Sequence, residues 1–185
     1  MTKALNKAEW ASYYKKNLYQ FSKSILKYDL LQKDPHLFMC QDIQAFLEDP
    51  EQEEILFMLP RDTFKTTVLV LSLPIWVLLN NPDARILITT SNTRLSESRL
   101  NAIQRQFELN SKFIEMFGNL KGFPWAATTM NISTKMDVSK KENSITIGGV
   151  DATNVGMHFD LILGDDLVDE NNSTSIKGRE AVKQY

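Results

Sequence analysis

Residues 55–72 read ILFMLPRDTFKTTVLVLS, and the fold turns on this stretch. Ile55 to Leu59 is a continuous apolar run of strand length, the pattern expected of a parallel strand buried on both faces. Pro60 to Phe64 reads as a turn, and an apolar helix follows from Lys65. Where a buried strand turns into a helix, backbone N–H groups and the helix dipole gather at one point and favour an anion. In the pattern G-x-x-x-x-G-K-[ST] the Lys neutralises the β and γ phosphates and the next hydroxyl coordinates Mg²⁺. Lys65 and Thr66 fill those two places. The only other Lys that precedes Ser or Thr, Lys23, lies inside an amphipathic pattern. Both glycines are replaced, by Leu59 and Phe64, although Gly is favoured there for positive φ and close phosphate approach. Taken alone, the stretch is read equally well as an ordinary strand-to-helix turn with a surface Lys.

Downstream, Arg85–Thr90 is a second strand-like run that leads into a helical pattern over 94–108, with Leu100, Ile103 and Phe107 on one face. Residues 125–150 alternate in an antiparallel manner, TTMNIS then SITIGG, around a polar turn at 139–143. Phe159 to Leu163 is a third buried strand ending at Gly164-Asp165-Asp166, and 173–184 reads as a capped helix. Upstream, Trp10, Tyr13, Tyr14, Leu18, Phe21, Ile25 and Tyr28 recur at helical spacing over 8–28, and a second helix is expected over 37–48, closed by Pro50. This order predicts an α/β chain: a helical segment over 1–50, then a core over 51–185 whose mainly parallel sheet has right-handed crossovers and one antiparallel hairpin.

The 185 residues carry 21 basic and 23 acidic side chains, a net charge of −2, which argues against gripping nucleic acid over the whole surface. The average conceals blocks: seven Lys against two acids in 1–33, seven acids without Lys or Arg in 34–54, and six acids without a base in 151–170. The first two are read as solvated helix faces in preference to partner surfaces. One cysteine, Cys40, excludes a disulfide scaffold, and the longest apolar run, Val68 to Leu79, is too short to cross a bilayer. With no secretory leader at the N-terminus, a cytosolic protein is expected.

FDLILGDD (159–166) raises the standing of the Lys65 loop, because two adjacent carboxylates at a strand tip repel unless a cation or a proton transfer uses them. In a nucleotide hydrolase the first acid, here Asp165, holds hydrated Mg²⁺ and the second, Asp166, acts as general base. Arg61 could reach the γ-phosphate as an arginine finger in cis, or be a plain surface Arg; Thr67 could touch the α-phosphate. Asp62, Thr63 and Phe64 complete the loop that would surround the phosphates. His36 and His158 have no Cys or His neighbours for a zinc site and receive no role. Gln41 is better read as a helix-surface residue than as a reader of adenine, and Asp169 and Glu170 as a solvated turn. Trp10, Tyr13, Tyr14 and Phe21 fit a buried stripe better than a base-stacking platform.

On these residues the chain resembles, from about 18 to 183, the N-terminal ATPase domain of a tailed-bacteriophage terminase large subunit. The resemblance rests on LPRDTFKTT (59–67), on ILITTSNTRLSESRLNAIQ (86–104) and above all on GGVDATNVGMHFDLILGDDLVDENN (148–172). It implies a RecA-like P-loop NTPase of the ASCE type, with ATP and Mg²⁺ as cofactors, that drives double-stranded DNA into a procapsid. The implied partners are a portal ring, a small terminase subunit and further copies of the chain on the portal, with no membrane, in the host cytoplasm. Family roles fall on Arg61, Lys65, Thr66, Asp165 and Asp166. Phe64 departs from the usual Gly and Asp166 from the commoner Glu. In the family's sheet the strand after the paired acids lies between the two motif strands, so residues 1–185 are expected to be part of a longer or split product, inactive alone. A helicase-like P-loop ATPase and a non-catalytic interaction protein are the competing readings.

Overall fold

Five strands form one mixed sheet in the computed structural model of the chain, which describes residues 5–149 and 156–167. The strands are β1 Ile86–Thr90, β2 Lys121–Trp125, β3 Thr129–Ile132, β4 Ile145–Gly149 and β5 Leu161–Gly164, in the order β2-β3-β4-β1-β5. β1 runs parallel to both neighbours, with Ile88 opposite Ile147 on one side and Leu163 on the other. β3 is antiparallel to β2 and to β4, so the expected hairpin joins the parallel part of the sheet directly. All five β1 residues are buried, as a doubly covered parallel strand requires.

The helices around this sheet are α1 Lys7–Lys15, α2 Leu18–Gln20, α3 Phe38–Glu48, α4 Leu73–Asn80, α5 Thr93–Leu109 and α6 Ser111–Phe117. α5 packs on β1 and β4 through Leu100, Ile103 and Phe107, all at most 1% exposed, as its periodicity predicted. Asn92 caps it, its side-chain oxygen accepting from the Leu95 N–H at 3.0 Å.

The helix expected over 8–28 is interrupted. α1 begins with a reciprocal cap between Asn6 and Glu9 and ends at Lys15; Asn17 then caps α2, which continues as a wide, π-type turn over Phe21–Ile25. Gln44 of α3 bridges the break, donating to the Lys16 carbonyl and accepting from the Leu18 N–H, both at 3.0 Å, so the groups orphaned by the interruption are paired. The apolar stripe survives in part. Leu18, Phe21 and Ile25 are fully buried, whereas Trp10 and Tyr13 lie 39% and 40% exposed, packed against one another and Tyr14. These helices share one core with the sheet, and the Trp76 indole of α4 donates to the Tyr14 carbonyl.

The first expected strand is not formed. Residues 55–59 carry the apolar composition of a buried strand, yet they take no place in the ladder, and Leu56 and Met58 are 80% and 84% exposed. Apolar composition makes a strand only where a neighbouring strand supplies hydrogen bonds. Among the described residues the sheet ends at β5, and no β5 hydrogen bond reaches this run. β5 itself, expected to be buried throughout, leaves Ile162 58% exposed for the same reason. The helix after Lys65 does form, with a π-type turn over Thr67–Ser72 where Pro74 has no N–H to give the Val70 carbonyl. No helix among the described residues is long and apolar enough to cross a membrane. The helix expected over 173–184 lies outside the described residues.

An ionic clip closes the end of the sheet where β1 and β5 begin. Arg85 donates to both Asp160 oxygens and to Glu142, whose other oxygen accepts from the His158 N–H. The Arg85 guanidinium holds the Asp160 carboxyl down to about 2, and the His158 N–H, with Arg85 behind it, does the same for Glu142. Both pKa values are depressed on folding, so the stabilisation is complete above the ordinary carboxylate range and is lost as pH falls through that range toward 2. Arg85→Met is expected to lower the melting temperature at pH 7 and to shrink the further loss on acidification, measured by thermal denaturation from pH 7 to pH 2.

Candidate functional site

The carboxyl ends of the parallel strands meet the turn that precedes the apolar helix. Beyond Gly164 the β1–β5 pairing runs on for two residues, with the Asp165 N–H bonded to the Thr89 carbonyl at 3.0 Å and the Ser91 N–H to the Asp166 carbonyl at 3.1 Å. This fixes both acids at the tip of β1. There the Thr66 hydroxyl lies 3.1 and 3.0 Å from the two Asp165 oxygens, joining residues 99 apart in sequence. Its single proton can serve one oxygen at a time, so lone pairs of both groups stay free.

The loop between these elements is held in a conformation that its sequence disfavours. Asp62 and Phe64 have φ of +61° and +52°, and Phe64 stands where the phosphate-loop pattern places Gly. His36 holds it there. Its Nδ1 accepts from the Gln32 N–H at 2.8 Å, so the ring proton is on Nε2, which donates to the Thr63 carbonyl at 3.1 Å. The imidazole, 5% exposed, also meets the Phe64 ring edge-to-face at 5.7 Å. Thr63 closes the turn with a 2.7 Å hydrogen bond to the Pro60 carbonyl. Lys65 reaches back over the loop to the Leu59 carbonyl at 2.6 Å.

Thr66 and Asp165 are thus brought together, while the ammonium of the neighbouring Lys65 rests on the Leu59 carbonyl. Thr67 begins the wide turn and its carbonyl accepts from the Ser72 hydroxyl at 2.8 Å. Arg61 and Asp62 are exposed on the loop, and their side chains have no partner among the described residues. Asp166 is exposed and left-handed at φ +49°, its main chain held by Ser91 and its carboxylate unpaired among the described residues. Gln41 is an exposed residue of α3, as its surface reading expected. Asp169, Glu170 and residues 150–155 of the stretch 148–172 lie outside the described residues.

Two residues that sequence reasoning left unused belong to the site. His36 lacks the neighbours of a metal ligand, and its work is instead to grip a backbone carbonyl 27 residues away. The substitution of Phe for Gly at 64 was the available hint that something must hold the loop. Arg99 of α5 lies 3.3 Å from Asp165 Oδ2, with the two side chains 24% and 13% exposed. Nothing in its spacing marked it.

The pair Thr66–Asp165 suits a hard divalent cation, which takes oxygen ligands and, for Mg²⁺, one or two protein groups with waters and phosphate oxygens completing the shell. No protein-family model and no curated protein matches this chain. His36→Ala removes the Thr63 hydrogen bond and the support under Phe64. It is expected to cost about 2 kcal/mol in urea denaturation, more than the same change at the exposed His158.

Proposed function

We propose that the chain is an ATP-hydrolysing P-loop domain of the RecA-like type, working as the ATPase portion of a phage terminase large subunit. The observation that carries the reading is the Thr66–Asp165 hydrogen bond. A Lys-Thr pair after a tight loop is common; one whose hydroxyl meets the first of two acids at the tip of a parallel strand is the constellation that nucleotide hydrolysis needs. Its position outside the carboxyl ends of parallel strands agrees with where open α/β sheets take ligands.

In this reading Thr66 and Asp165 would hold Mg²⁺, which would supply positive charge for the phosphates of ATP. Lys65 exchanges the Leu59 carbonyl for the same phosphates, a short move for a flexible four-carbon stem. The N–H groups of Asp62 to Thr67 line the phosphates, with the left-handed turns at 62 and 64 orienting them. Arg61, free on the loop, stabilises charge on the γ-phosphate, and Asp166 takes the proton of the attacking water. The energy released drives double-stranded DNA, with a portal ring, a small terminase subunit and further copies of the chain as partners. A second reading, nucleotide binding without turnover, is favoured by the unpaired run 55–59 beneath the loop, since an unsupported loop orients a reacting water poorly.

Fluorescent-nucleotide binding and Mg²⁺-dependent phosphate release, each with and without double-stranded DNA, separate these readings. Lys65→Ala and Asp165→Asn are expected to reduce both binding and any turnover by at least about 100-fold, on the scale of lost phosphate stabilisation. Binding that is unaffected by either substitution would sink the proposal.

A further inference from the structure

Arg99 sits where a cation belongs. Its helix is pinned one turn earlier, where the Ser96 hydroxyl donates to the Gly148 carbonyl at 2.6 Å and meets the Thr90 hydroxyl at 2.9 Å. Leu100 and Ile103 are fully buried on the same helix. The guanidinium is therefore presented to Asp165 by a packed helix and not by a loop. Its Nη2 lies 3.3 Å from Asp165 Oδ2, an oxygen that Thr66 also engages.

The rest of the guanidinium is poorly served. Its Nε is buried and has no hydrogen-bond partner among the described residues. A group that leaves a dehydrated donor unpaired is held by charge, here that of Asp165, and loses its reason to stay when that charge is taken by another cation. A divalent ion bound through Asp165 would face a fixed positive charge within a few ångströms, in a half-buried setting where water screens it only partly.

We propose that Arg99 is the resident counter-charge of Asp165, a positioning residue that divalent metal must displace, so that the site takes the metal together with nucleotide phosphates and not alone. The inference rests on the Thr66–Asp165 metal site of the proposed function. It makes Arg99 a lock against the empty-handed cation: the phosphates of the nucleotide add the negative charge that lets the metal win, and Arg99 is freed as they arrive. Because α5 also lies along β1 and β4, release of Arg99 gives the sheet's principal helix a direct report of site occupancy.

Mn²⁺ titration followed by electron paramagnetic resonance tests this on the full chain, without nucleotide and without turnover. Arg99→Gln is expected to raise Mn²⁺ affinity by at least about tenfold, Arg99→Lys to stay near the parent value, and Asp165→Asn to abolish the gain in the Arg99→Gln background. Equal or weaker Mn²⁺ binding by Arg99→Gln, with Asp165-dependent binding still present, overturns the lock and spares the metal site. No Asp165-dependent binding in either protein overturns both. In the unmutated chain, exchange of the Arg99 Nε proton is expected to quicken when Mg²⁺ and ATP are added, a readout that needs no variant to fold; unchanged exchange with nucleotide bound refutes displacement.

Discussion

One hydrogen bond, Thr66 to Asp165, ties the beginning of a helix to the end of a strand and so joins the two halves of the site. Everything around it serves to keep the two groups in reach. β1, buried throughout, carries β5 in register and extends the pairing to Asp165 and Asp166. α5 braces the other side of β1 and places Arg99 against the same carboxylate. The ionic clip of Arg85 with Asp160 and Glu142 sits at the opposite end of the strands, so β5 is fastened at both ends although its outer edge has no partner strand among the described residues. Asp160 thus contributes to holding the strand.

Much of this was legible in the residues because it depends on periodicity. The helix face of Leu100, Ile103 and Phe107, the β3–β4 hairpin and the β1 run all follow from patterns of spacing that the sheet then uses. The convergence of Thr66 and Asp165 was legible for a different reason: one opens a helix after a turn and the other follows the end of a parallel strand, and open α/β sheets gather such ends at one edge. What failed was whatever depends on a neighbour. Residues 55–59 have the composition of a strand, but pairing is a property of two segments, and composition reports on one. The break at Lys16–Asn17 was invisible because the apolar spacing continues across it, and the residue that makes it tolerable, Gln44, lies on another helix.

The two unused side chains, His36 and Arg99, show the same limit at the level of the site. Each acts through long-range contacts on residues of the motif, and neither belongs to a pattern that sequence spacing can express. Their chemical types were nonetheless apt. A neutral imidazole accepts at one nitrogen and donates at the other, which lets it join Gln32 to Thr63 across a loop; a guanidinium holds its charge at any physiological pH and so can stand opposite a carboxylate permanently.

The grip of His36 on the loop changes what is inherited as a unit. A glycine at position 64 would carry its own conformational freedom, and the turn would be portable between sequences. With Phe64 the freedom is borrowed from a residue on a different segment, through a ring contact and a carbonyl bond. The loop's shape is then encoded at two places at once, so drift at one is constrained by the identity of the other.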